Sequence, residues 1–211
     1  MIREAVHAGV KLQLVAVREG VTPPAPADRV IALAPALLKH VSQTDTPQGV
    51  VAVACAGLHT FAQARAAAKA SGWPLVVLDR VQDPGNVGAI ARTAAAAGAA
   101  ALVVLPGTAD PFGPKAVRAS AGNVFRLSTA AATWTELAGL TGFGAAADGD
   151  LHLHEAPLDS ADFVVFGSEA HGLSNANLQR VAIPMAAGVE SLNVAAAAAI
   201  VLYEVRRRLA R

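Results

Sequence analysis

From residue 75 onward, short apolar runs alternate with stretches of helical periodicity, and this alternation narrows the possible folds more than any other feature. The apolar runs fall at 75–78, 101–105, 124–127, 143–146 and 163–166. Helices are expected at 87–97, 114–121, 134–140 and, briefly, 175–180. The runs are continuous rather than alternately polar, as in strands buried on both faces. Such strands separated by helices predict an α/β domain built on a parallel sheet.

The first part of the chain is less regular. It reads as a small α/β unit. A helix ends near Gly9, a strand follows over 11–17, and a loop with three prolines covers 20–28. A short strand is expected at 29–33, a helical turn or two at 35–40, and a buried strand at 49–54. Thr60 is placed to cap a helix over 61–70. The unit opens on a helix with no strand before it, so its sheet is expected to lack a partner on one edge. Ser71-Gly72-Trp73-Pro74 punctuates the chain, and the expected domains are 1–71 and 72–211.

Composition closes several function classes. The 211 residues can hold one substantial domain plus a small one. With 54% hydrophobic and 16% charged residues, the chain can bury a core and is not disordered. The longest small-apolar stretch, 94–105, contains Gly98 and is too short to span a bilayer. The first ten residues carry Arg3, Glu4 and His7 and lack the apolar core of a signal peptide. A soluble, cytoplasmic protein is expected. The lone Cys55 can form neither an internal disulfide nor a thiolate zinc site. His152 and His154 lie two apart with no cysteine or carboxylate cluster to complete a site, so no metal is expected. A formal net charge of +1 argues neither for nor against nucleic acid; any such binding must come from a local patch.

Three polar stretches lie where strands are expected to end, which is where open parallel sheets bind ligands. They are 79–92, 167–174 and 181–203. The first has Gly85 and Gly88, giving G-x-x-G and not the dinucleotide fingerprint, and no Walker loop is present. Both facts count against a nucleotide-dependent oxidoreductase. Asn86 stands just before the predicted helix and Arg92 nearly two turns into it; on residue type alone the balance favours a solvated arginine. In the second stretch, Glu169 reads equally as a surface carboxylate or as part of a site. In the third, Glu190-Ser191-Leu192-Asn193 joins a short apolar strand to a helix of very small residues. Ser191 or Asn193 can cap that helix, yet three polar side chains at such a junction do nothing for a core.

Taken together, the three stretches resemble the three motifs of the SpoU (TrmH-type) family of RNA ribose 2′-O-methyltransferases, in the SPOUT superfamily. The first motif is matched by DPGNVGAIARTAAAAGA, the second by VVFGSEAHGLS and the third by IPMAAGVESLNVAAAAAIVLYE. The intervening KAVRASAGNVFRL is also similar to the family, and the resemblance covers residues 73–208. The first part of the chain more weakly resembles the ribosomal-protein-L30e-like substrate-binding domain of many such enzymes, in a shortened form.

The resemblance implies a parallel-sheet domain whose C-terminal chain forms a trefoil knot, a homodimer, and S-adenosylmethionine held in the knot. The implied cofactor residues are Leu105, Pro106, Gly107, Phe166, Gly167, Ser168, Glu169, Ile183, Pro184, Met185, Ser191, Leu192 and Asn193. The implied catalytic residues are Asn86, Arg92, Glu169, Ser191 and Asn193. Arg92, Lys115, Arg118 and Arg126 are candidates for contacts to an RNA substrate, with ribosomal RNA favoured over transfer RNA. Deprotonating a guanidinium at neutral pH costs roughly 8 kcal/mol, so an arginine at the centre of this site acts more cheaply as a charged stabiliser than as a base. The other reading is a catalytically silent module that binds RNA or the cofactor. Intact Asn86, Arg92, Glu169, Ser191 and Asn193 count against it.

Overall fold

The computed structural model describes residues 1–42, 48–168, 171–175 and 177–210. The chain divides into two compact units, Met1–Gly57 and Leu58–Arg211. The division precedes the expected 71/72 boundary because the helix after Thr60 packs on the second unit's sheet. It covers that sheet's face through Ala64 and Ala68, both buried.

The first unit begins with helix α1 (Ile2–His7), then strands β1 (Lys11–Arg18) and β2 (Arg29–Leu33), helix α2 (Pro35–Val41) and strand β3 (Val50–Cys55). The sheet runs β2-β1-β3, with β1 parallel to β2 and antiparallel to β3. Leu12, Val15 and Val17 form its core, and Ile2 and Val6 of α1 pack against them.

The second unit opens with helix α3 (Phe61–Ser71), held by a reciprocal capping box between Thr60 and Gln63 and ended by Gly72 at φ 70°. There follow β4 (Leu75–Asp79), α4 (Pro84–Ala97), β5 (Ala101–Val104), α5 (Pro114–Ala119) and β6 (Ser128–Ala131). The chain then forms β7 (Gly142–Ala145), β8 (Leu151–His152), β9 (Phe163–Gly167), β10 (Gln179–Ala182) and α6 (Val194–Leu209). Seven strands form one sheet in the order β6-β5-β4-β9-β7-β10-β8. Every pairing in it is parallel.

The continuous apolar runs have the expected consequence. Val76, Leu78, Leu102, Val104, Val164 and Phe166 face α4 and α6 on one side. Leu75, Val77, Ala101, Val103, Phe163 and Val165 face α3 on the other. Small residues let the covering helices approach closely. A Cβ on Gly88 of α4 would lie 2.3 Å from the Ala116 carbonyl oxygen of α5.

Three expected elements take other forms. Residues 124–127 are not a strand. Ala121 and Gly122 turn the chain at φ 52° and 84°, and Asn123–Arg126 winds into a 3-10 turn that buries Val124 and Leu127 three residues apart. The strand starts only at Ser128. Residues 134–140 form successive turns, with main-chain bonds from Glu136 to Thr133 and from Leu140 to Leu137 rather than a helix. Within 175–180 the Asn177 N–H donates to Asn175 Oδ1 (3.0 Å), a local turn, and Gln179 already belongs to β10.

Candidate cofactor and catalytic site

The strand order reverses beside β4. From it β5 and β6 extend one way, and β9 and the later strands extend the other. Such a reversal opens a crevice at the carboxyl ends of the strands. There a cavity of about 350 Å³ lies over the ends of β7, β9 and β10. Its wall is made by residues 145–148 after β7, by Phe166, Gly167 and Ser168 at the end of β9, and by Gly172. Ile183 and Met185 beyond β10, and Ser191, Leu192 and Asn193 before α6, complete it with Val194 and Ala197 of that helix. Two of the expected motif segments thus meet in one space.

The first motif joins them through one hydrogen bond. Asn193 caps α6, its Oδ1 accepting from the main-chain N–H groups of Ala195 (3.0 Å) and Ala196 (3.3 Å). Those contacts leave its amide group to donate to Asn86 Oδ1 at 3.2 Å. Asn86 is presented by the first turn of α4, which Asp83 caps by accepting from Gly85 N–H at 3.1 Å. The Asp83 carboxyl is held below its ordinary range first by the Lys115 ammonium, 2.5 Å away, and then by the Gly85 N–H. Lys115, expected to touch RNA, is therefore engaged with the N-cap of α4.

Arg92 lies six residues after Asn86 on the same helix, about 9 Å further along its axis. It is exposed and does not line the cavity, and it makes no hydrogen bond or ion pair among the described residues. Arg118 and Arg126, on α5 and the following 3-10 turn, are also exposed. Glu169 lies outside the described residues.

The segment before and after Glu169 is closed on itself. Ser168 and Gly172 exchange main-chain hydrogen bonds of 3.1 and 2.8 Å. A Cβ on Gly167 would sit 2.6 Å from the Gly172 backbone, so only glycine permits this approach. At its far end Ser174 binds Asp79, the last residue of β4. The Ser174 N–H donates to Asp79 Oδ2 at 2.5 Å and its hydroxyl to Oδ1 at 2.9 Å. Trp134 Nε1 in turn donates to Ser174 Oγ at 2.7 Å. By sequence, Asp79 heads the first polar stretch without a role of its own, and Trp134 has none. The available signal was a carboxylate closing an otherwise apolar run, LVVLD, whose five residues are all buried.

Leu105, Pro106 and Gly107 are not brought to the cavity. They line a separate concavity at the ends of β5 and β6, with Thr108, Thr133 and Glu136. Strand β4 stands between β5 and β9, so the chain after β5 emerges on the far side of the crevice. The place expected for these three is taken by Ala145-Ala146-Ala147-Asp148. Asp148 is fixed by an ion pair to Arg180 at 2.6 Å. Pro184 is exposed and does not line the cavity, although its neighbours Ile183 and Met185 do.

Comparison with known proteins fits this geometry. The family model described as the SpoU rRNA Methylase family matches residues 74–203. The chain is 29% identical, over 79% of its length and 68% of the relative's, to the 23S rRNA (guanosine(2553)-2′-O)-methyltransferase RlmP of Bacillus subtilis. It is 34% identical, over 64% of its length and 53% of the relative's, to the 23S rRNA (uridine(2479)-2′-O)-methyltransferase of Streptomyces viridochromogenes. Several further relatives are matched over only about half their own length. Among solved structures, the SpoU methyltransferase AviRb of Streptomyces viridochromogenes, crystallised with AdoMet, superposes with a TM-score of 0.85 at 29% identity. That likeness covers 99% of this chain and 87% of AviRb. With the family model spanning most of the second unit and all three motif segments, the chain belongs to the SpoU rRNA methylase family.

Proposed function

We propose that the chain transfers a methyl group from S-adenosylmethionine to a ribose 2′-hydroxyl of RNA, with ribosomal RNA as the substrate. The observation that carries this reading is the single cavity formed by the second and third motifs, with the first tied to it by the Asn193–Asn86 hydrogen bond. The relatives named as 23S rRNA 2′-O-methyltransferases support the choice of RNA.

The residues present suit the cofactor. The cavity falls within the roughly 300–1,000 Å³ of small-molecule sites. Ile183, Met185 and Leu192 offer apolar surface to a purine, and Gly167 lets backbone approach closely. When bound, S-adenosylmethionine supplies an activated methyl on a sulfonium. Ser191 and Asn193 line the cavity that would hold it, and the Asn193 amide donates to Asn86. Arg92 remains charged, holds the RNA backbone or the 2′-oxygen, and stabilises negative charge developing there. Glu169 organises the pocket from the second motif. Arg118 and Arg126 offer further phosphate contacts beside it, and Lys115 joins them where RNA draws it from Asp83.

Arg92 does not line the cavity of its own chain, and this supports a homodimer in which the partner subunit delivers it. Ile200 and Tyr203, 41% and 69% exposed on α6, supply apolar surface for that contact. A threaded C-terminal chain, the trefoil knot, agrees with the close crossing at Gly149, where a Cβ would meet the Val181 and Ala182 backbone at 2.6–2.8 Å. The first unit, a small α/β unit with a three-stranded sheet, is assigned as an L30e-like RNA-holding domain on the resemblance of its sequence.

The decisive experiment titrates S-adenosylmethionine by calorimetry and then follows labelled methyl into purified ribosomal RNA and transfer RNA separately. Binding with transfer into ribosomal RNA is expected. Binding without transfer to either pool would replace this reading with a silent binding module, and no binding would overturn the cofactor assignment.

A further inference from the structure

Asp79 does not line the cavity and precedes the first motif proper, which begins at Asp83, yet it is 1% exposed at the end of a central strand. A buried carboxylate is costly unless its oxygens are met by donors. Both are met from one place: Oδ2 by the Ser174 N–H at 2.5 Å and Oδ1 by the Ser174 hydroxyl at 2.9 Å. The same residue is paired through its backbone with Gly167, the last register position between β4 and β9. Asp79 therefore holds both ends of the segment 167–174, one by main chain and one by side chain. Between those ends lie Gly167, Ser168 and Gly172, which form one wall of the cavity.

We infer that Asp79 and Ser174 are a positioning pair that sets this wall and thereby the affinity for S-adenosylmethionine. The inference rests on the cofactor assignment above. Two neighbouring contacts act in the same direction. Trp134 Nε1 locks the Ser174 hydroxyl at 2.7 Å, which orients its proton toward Asp79. Arg80, in left-handed backbone at φ 58°, stands with Nε 3.6 Å from Asp79 Oδ1 and Nη2 3.5 Å from the Gly172 carbonyl oxygen. Its Nε is buried and, among the described residues, faces only the Asp79 carboxylate, so the two side chains are placed together. Loss of the side-chain grip leaves the β4–β9 ladder intact and releases only the far end of the segment. The cost then appears in cofactor binding more than in the fold.

The test compares wild type, Asp79→Asn, Ser174→Ala and Ser174→Thr as full chains. Thr129→Val serves as a control, being a buried polar change in β6 away from the cavity. Calorimetric Kd for S-adenosylmethionine, KM for cofactor and for RNA, kcat and the unfolding midpoint are measured on each. Losing a buried hydrogen bond of this kind predicts about a tenfold weaker Kd and a matching rise in cofactor KM for Asp79→Asn and Ser174→Ala, with RNA KM unchanged. Ser174→Thr, which keeps the hydroxyl, restores affinity to within about threefold. If Asp79→Asn does not fold, Ser174→Ala carries the comparison, since it leaves the carboxylate and the main-chain bond in place. Wild-type affinity in Ser174→Ala, or a loss no larger than that of Thr129→Val at equal destabilisation, overturns the inference. Failure of the wild type to bind the cofactor would instead overturn the assignment of the cavity.

Discussion

Asn193 does two jobs that can be separated. Its side-chain oxygen caps α6, and its amide group reaches Asn86. Aspartate keeps the first and loses the second. Asn193→Asp is expected to stay within about 0.5 kcal/mol of wild-type stability, whereas Asn193→Ala loses about 1 kcal/mol. Both should lose turnover by tenfold or more, roughly the value of one good hydrogen bond in the transition state. Urea unfolding and methyl-transfer rates on the same preparations check the split. Arg92 makes a similar point about residue type. Arg92→Lys keeps the charge but loses the planar fork, so activity should fall by roughly 100-fold or more with unchanged cofactor affinity. A lysine variant of near wild-type turnover would sink the role given to Arg92. Polar residues in glycine-bearing strand ends were visible in the sequence. The role of Asp79 was not, because a carboxylate at the end of an apolar run looks the same whether it faces water or is gripped by Ser174, 95 residues away.

Elements were legible where local chemistry and packing agree. The N-cap at Thr60, the chain break at Gly72 and the apolar runs of β4, β5 and β9 all form close to their expected positions. Where local signals were weak, tertiary context decided. Val124 and Leu127 suit a strand by composition, but positive φ at Ala121 and Gly122 launches a 3-10 turn instead. The end of α6 shows how an element is fastened. Glu204 binds Arg207 at 2.7 Å and Arg208 at 2.7 Å. Arg208 also donates to the carbonyl oxygens of Ala156 and, at 3.0 Å, Leu153. Arg208 thus ties α6 to the chain before β9. Arg207 first, and then Arg208, pull the Glu204 carboxyl down to about 2 from an ordinary 4.5. A carboxyl depressed on folding contributes stability that is complete above pH 4.5 and is lost as pH falls toward 2. Glu204→Gln should therefore flatten the acid limb of stability between those values, by on the order of 1 kcal/mol. Urea midpoints taken at intervals from pH 6 to 2.5 test this; parallel curves for variant and wild type would refute it.

At the scale of the whole molecule, the cavity of one chain does not gather all three motifs. The cavity gathers the second and third motifs, while Arg92 of the first stays exposed outside it. If the partner subunit supplies Arg92, two inactive variants should rescue each other. Mixed dimers of Arg92→Ala with Asn193→Ala contain one site with both residues native, and about a quarter to a half of wild-type activity is expected after subunit exchange, given independent sites. Separately purified variants that stay inactive after verified mixing would show that each chain uses its own Arg92.

The sequence by itself determined the parallel α/β class, the family and the three polar segments, because these depend on apolar periodicity and on motifs read within a few residues. It could not decide which strand ends meet. By sequence, Leu105, Pro106 and Gly107 suit a cofactor as well as any strand end, and nothing there marks 145–148. Strand order alone separates them: β9 inserts between β4 and β7, so the chain after β7 borders the cavity and the chain after β5 does not. That order rests on long-range packing, with the central strands β4, β5 and β9 buried on both faces. Only the tertiary structure brings Asp79 to Ser174 and Asn86 to Asn193, since those contacts cross 95 and 107 residues of chain.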